Sequence, residues 1–111
     1  MKRNFRLTHS KDINRVRTEG QAQKNKYAVL LYEKNLLAIS RVAVVTSKKI
    51  GNAVQRNRIK RVMRACLISI WEEIDSGWDL VLYARPTASE PTYDDIHFAI
   101  KGLLKQANLI I

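Results

Sequence analysis

Cysteine is almost missing: Cys66 stands alone among 111 residues. A single thiol can form no disulfide within the chain and no multi-thiolate metal site. Such usage suits a reducing compartment, and a cytoplasmic location is the expectation. Glycine (four) and proline (two) are scarce, which argues against a low-complexity or disordered chain. No apolar run approaches the roughly 18 residues of a membrane span, so no membrane partner is expected. The basic start, Met1-Lys2-Arg3-Asn4-Phe5-Arg6, has no apolar stretch behind it to make a secretory signal. His9 and His97 lack metal-ligand spacing, and no carboxylate cluster suited to two metals is evident. The chain also shows no nucleophile–base arrangement, so hydrolysis by its own side chains is not expected.

Acid is missing where base is abundant. Residues 1–64 hold 17 Lys/Arg against 3 Asp/Glu, a net of +14, whereas residues 65–111 hold 3 against 7, a net of −4. Charge placed for solubility alone is interspersed; a field this lopsided implies a polyanionic partner. With 46% apolar residues, one core is affordable, and residues 1–111 are read as a single domain.

Along the chain, Thr8–Arg17 reads as a short helix capped by Thr8 or Ser10, with Gly20 after its end. Tyr27–Tyr32 and Ser40–Thr46 read as strands, separated by a turn at Lys34-Asn35. A long helix is expected from about Asn52 to Ile74. Its apolar stripe is Ile59, Val62, Met63, Cys66, Leu67, Ile70, Trp71 and Ile74. Asp75-Ser76-Gly77 stops it, with Gly77 as the residue beyond its C-cap. A buried strand at Trp78–Ala84 follows, then a helix opened by Thr92-Tyr93-Asp94-Asp95, a capping signature with an acidic first turn. One helix, two or three strands, a helix, a strand and a helix make an α/β sandwich with helices packed on one sheet.

The long helix carries the chemistry. Beside its apolar stripe, Arg56, Asn57, Lys60, Arg61 and Arg64 share a neighbouring arc, with Arg58 near the stripe's other edge. From Lys48 to Arg64 there are seven Lys/Arg and no acid to pair with them at i,i+4. Phosphate oxygens would relieve that repulsion, and guanidinium groups hold them bidentately. The preceding turn, Lys48-Lys49-Ile50-Gly51-Asn52, brings two lysines to a helix N-terminus, which favours anions. There is no helix-turn-helix pair, zipper heptad or zinc-ligand spacing for DNA, so RNA backbone and shape are the better target and no DNA partner is expected.

The run Lys48-Lys49-Ile50-Gly51-Asn52-Ala53-Val54-Gln55-Arg56-Asn57-Arg58-Ile59-Lys60-Arg61 resembles the signature of the bacterial ribonuclease P protein subunit, with Arg56-Asn57-Arg58 at its centre. Arg3-Asn4-Phe5-Arg6-Leu7, Asp12, Gly20, Ser47-Lys48-Lys49 and Ala84-Arg85-Pro86 fit the same family in order and spacing. The resemblance implies an αβββαβα two-layer sandwich of the ribosomal-protein S5 domain 2-like kind, with a left-handed βαβ crossover against the usual rule. It implies an accessory subunit of an endoribonuclease that removes the 5′ leader of precursor tRNA. The catalytic RNA would bind most of the Mg2+ and perform the hydrolysis. The protein would bind both RNAs, broaden the substrate range and lower the Mg2+ requirement.

By the same resemblance, Lys48, Lys49, Asn52, Arg56, Asn57, Arg58, Lys60, Arg61 and Arg64 would face the catalytic RNA and the cleavage region, with Asn57 near an RNA-bound metal. A cleft between the first helix and the sheet would hold the single-stranded leader. Many family members place aromatics on that helix; here the matching positions are Ile13 and Arg17, with Phe5, Tyr27 and Tyr32 as further candidates. Ile13 has no π-face, while Arg17 stacks or binds phosphate. The cleft is therefore expected to rely more on charge and to be salt-sensitive. Strand alternation requires one of Tyr27 and Tyr32 to face the core.

Overall fold

The strand Trp-Asp-Leu-Val-Leu-Tyr-Ala organises the molecule. In a computed structural model describing residues 5–111, it forms β4 (Trp78–Ala84). Successive side chains point to opposite faces, yet Asp79, Leu80, Val81 and Leu82 are all buried. A strand covered on both faces lies at the centre of its sheet.

The other elements are α1 (Ser10–Glu19), β1 (Gln21–Lys24), β2 (Ala28–Lys34), β3 (Arg41–Val45), α2 (Ala53–Ile70) and α3 (Tyr93–Gln106), with 3₁₀ turns at Lys48–Ile50 and Trp71–Glu73. Strand order is β1-β2-β4-β3. β2 pairs antiparallel with both β1 and β4, while β3 and β4 are parallel and joined through α2. This is the αβββαβα sandwich expected.

On one face, Leu30, Tyr32, Leu80 and Leu82 meet Met63, Cys66, Leu67 and Ile70 of α2 and Ile96, Ile100, Leu103 and Leu104 of α3. On the other face a smaller cluster of Leu7, Val16, Ala43 and Val81 seats α1. Leu7 is held there by its backbone N–H donating to Val42 at 2.9 Å.

Several element ends differ from the sequence reading. His9, rather than Thr8 or Ser10, occupies the N-cap of α1 and makes no side-chain capping bond. The long helix ends at Ile70; Trp71 and Ile74 continue its apolar stripe on a tighter turn, which apolar spacing alone does not distinguish from α-helix. Gly77 lies in the turn entering β4 at φ +89°, its carbonyl accepting from the Asn35 N–H at 2.8 Å. β1, Gln-Ala-Gln-Lys, has no apolar alternation to announce it. Tertiary contacts hold it: the Asn25 side-chain oxygen accepts from the Tyr27 and Ala28 N–H groups, both at 3.0 Å, folding β1 back onto β2. Gly20 sits between α1 and β1, where a Cβ would lie 2.5 Å from the Val16 carbonyl oxygen and 2.8 Å from that of Tyr32.

Candidate nucleic-acid interface

The N-terminus of α2 is built by a reciprocal cap. The Asn52 side-chain oxygen accepts from the Gln55 N–H at 2.9 Å, and Gln55 Oε1 accepts from the Asn52 N–H at 2.8 Å. Gly51 permits this geometry: its φ is +145°, and a Cβ there would fall 1.9 Å from Gln55 Oε1. The cap commits Asn52, named above as an RNA contact, to a structural bond. It also occupies two backbone donors that the sequence reading left for an anion.

Lys48 and Lys49 stand exposed on the preceding turn. Arg56 leans back on the same turn, its guanidinium donating to the Gly51 carbonyl at 2.8 Å. Asn57, Arg58, Arg61 and Arg64 are exposed, and Lys60 is half-buried. Among the described residues, the only one of these cations to meet a carboxylate is Arg58, 3.1 Å from Glu90. Rows spaced by four along a helix lie side by side, so Arg56, Lys60 and Arg64 flank Asn57 and Arg61. α2 thus presents a cationic strip with little internal neutralisation.

The opposite face of the sheet carries a different surface. Ile13 of α1 packs half-buried on the Leu7–Val16–Ala43–Val81 cluster, and Arg17 is exposed one turn on. Leu31, Val45 and Tyr83 are half-buried against the same cluster. Tyr83 was missed in the sequence, although period two along β4 places it on the face of Asp79 and Val81.

The other three candidate cleft residues lie elsewhere. Tyr32 is buried beneath α2 and α3, its ring 6.0 Å from that of Trp78, because its register partner Leu80 faces that side. Tyr27 is half-buried against the same large core. Phe5 stacks at a tilt on Trp71 with centroids 5.4 Å apart, and Trp71 packs against the large core rather than the α1 cluster.

α1 is pinned by a charge cluster that no spacing motif announced. Asp79 is fully buried. Its carboxylate accepts from Arg41 Nε and Nη2 at 2.9 and 2.8 Å, from Arg15 Nη2 at 2.6 Å and from Asn35 at 2.9 Å. Arg15 also bonds Glu33. Burial pushes the Asp79 carboxyl up, but the hydrogen bonds from Arg41, Asn35 and Arg15 outweigh it and hold the group below its ordinary range. Arg15 and Arg41 are therefore half-buried cations already paired within the fold, whereas Arg17 remains outside the cluster.

The described residues contain no group of three or more His, Cys, Asp or Glu side chains placed to share a metal ion. Cys66 is buried, and burial pushes its thiol up. His97 stacks on Tyr93, with ring centroids 5.8 Å apart. No helix is long and apolar enough to cross a membrane, among the described residues.

Comparison with known proteins agrees with this geometry. A family model described as Ribonuclease P matches residues 1–108. The ribonuclease P protein component of Clostridioides difficile is 37% identical over 106 residues, covering 95% of this chain and 93% of that protein. The component of Bacillus mycoides is 36% identical over 110 residues, covering 98% and 96%. The solved structure of the Staphylococcus aureus RNase P protein superposes with a TM-score of 0.88 at 29% identity, over 96% of this chain and 98% of that one. The Thermotoga maritima RNase P protein gives 0.83 at 30% identity, over 91% and 96%. The chain belongs to the bacterial ribonuclease P protein family.

Proposed function

We propose that this chain assists a catalytic RNA in cutting the 5′ leader from precursor tRNA in the cytoplasm, binding the leader on one face and the catalytic RNA on α2. The observation that carries the reading is the unneutralised strip on α2, which asks for phosphate in the monomer's own electrostatics. Lys48, Lys49, Arg56, Arg61 and Arg64 would take RNA phosphates near the cleavage region, with Lys60 beside them. Asn57, exposed beside the row of Arg56, Lys60 and Arg64, would contact RNA near a metal the RNA holds.

In this reading Mg2+ belongs chiefly to the RNA. The protein's part is to neutralise phosphate, which lowers the Mg2+ needed to hold two RNAs together. The leader would lie on the α1 face. Ile13 and Leu31 offer apolar contact there, Tyr83 an aromatic ring and Arg17 a guanidinium. Such a surface grips single-stranded RNA without reading its sequence, which suits a broad range of precursor substrates.

The direct test adds purified protein to a bacterial ribonuclease P RNA and precursor tRNA at low Mg2+ and scores leader removal. Cleavage only with protein and RNA together is the expected result. Tight RNA binding without stimulation of several such RNAs would overturn the reading and favour a role in ribosome assembly.

A further inference from the structure

A cleft of about 250 Å³ lies where the β4–α3 loop approaches the start of α2. Tyr27, Ile50, Ile59 and Ile96 line it, together with the exposed Lys49 and Arg85. It lies on the α2/α3 side of the sheet, away from α1. We infer that this cleft receives one unpaired nucleobase of the RNA bound along α2, with Lys49 and Arg85 taking the phosphates on either side. The inference rests on the RNA-binding reading above and adds a second, base-holding site to it.

Size and chemistry point the same way. The volume lies just below the range typical of pockets for drug-sized ligands, so it suits a single base rather than a larger cofactor. The lining is mixed, with Tyr27, Ile50, Ile59 and Ile96 beside the hydrogen-bonding side chains of Gln55 and Thr87, and phosphates alone have no use for its apolar part. Unstacked bases do, since RNA-binding proteins seat splayed bases against aromatic and apolar side chains.

The rim sets an orientation. Glu90 also lines the cleft and is tied to Arg58 of α2 at 3.1 Å. Its carboxylate disfavours phosphate on that edge, leaving the backbone to run past Lys49 and Arg85. Arg85 is braced for this task, its guanidinium donating to the Asn25 carbonyl at 2.8 Å.

The test titrates the full-length protein with a single-stranded RNA pentamer and with an abasic pentamer of equal charge. Isoleucine methyl resonances report the site: Ile50, Ile59 and Ile96 for the cleft, Ile13 for the α1 face. The pentamer with bases should shift the three cleft methyls and bind about tenfold tighter than the abasic one, within the range for one stacked base. Ala88→Trp, an exposed loop position beside the cleft, should fill it and erase that tenfold difference. Equal affinity and equal shifts for both pentamers would overturn the cleft while leaving RNA binding intact. Shifts confined to Ile13 would do the same. AMP alone binding the cleft as tightly as the pentamer would make it a free-nucleotide site and overturn the assignment to bound RNA. Failure of both pentamers to bind at all would overturn the cleft and the RNA-binding reading together.

Discussion

Asp79 accepts four hydrogen bonds in a position with no exposure to water. A buried carboxylate is costly unless paired, and removing one partner of such a group typically costs about 3–5 kcal/mol. Asp79→Ala should lose stability toward the lower end of that scale in urea unfolding, because Arg15 and Arg41 then lose their shared buried partner and keep only the part-exposed Asp12 and Glu33. Replacing all three residues by apolar ones of similar volume should recover much of the loss. The pH dependence follows from the lowered Asp79 pKa. Its contribution is fully present above the unfolded value of 3.8 and is lost as pH falls through the lower folded value. The stability margin of the wild type over Asp79→Asn should therefore stay constant down to about pH 4 and shrink below it. An acid in an otherwise apolar strand is visible in the sequence as an anomaly. Its partners are not, since Arg15, Asn35 and Arg41 come from three separate parts of the chain.

At the scale of the element, α2 was the most legible feature and its two ends the least. Apolar residues at three- and four-residue intervals declare the buried stripe and, by exclusion, the cationic strip. They do not show that Asn52 is occupied by its own cap, nor that the last turn tightens after Ile70. The cap and the strip should separate experimentally. Asn52→Ala should cost about 1 kcal/mol of stability and leave the salt dependence of RNA binding unchanged. Arg61→Ala and Arg64→Ala should each weaken binding and lower the slope of log affinity against log salt by about 1, the signature of one lost phosphate contact. Arg58→Ala should lower the slope less, because Glu90 already neutralises part of that charge. Fluorescence anisotropy with one RNA across a salt series checks all four variants. An equal slope change for Arg58 and Arg61 would contradict the pairing seen in the structure.

At the scale of the whole molecule, the sequence indicates a polyanionic partner but not how the sheet apportions its faces. Which strand neighbours which is decided by tertiary pairing. The sequence reading therefore took Tyr27 and Tyr32 as cleft candidates and passed over Tyr83, whereas Tyr27 and Tyr32 pack on the α2/α3 core and Tyr83 on the α1 face. The consequence for leader binding is specific. On the α1 face the leader would meet the Tyr83 ring, the apolar Ile13 and the exposed Arg17, so charge carries a larger share of the grip than in a cleft with aromatics on its helix. The measurable quantity is the affinity for leader-bearing precursor tRNA relative to leaderless tRNA, followed across a salt series. That ratio should fall with salt more steeply here than in a relative with two aromatics on the first helix. Arg17→Ala should flatten the dependence. Tyr83→Ala should reduce the ratio by about tenfold at every salt concentration, as loss of one stacking surface does. Tyr32→Phe removes only the hydroxyl bonds to Gln21 and Gln23 beneath α2 and α3, and it should leave the ratio unchanged. If Tyr32→Phe lowers the ratio while Tyr83→Ala does not, the leader lies on the opposite face of the sheet from α1, and the cleft assignment fails.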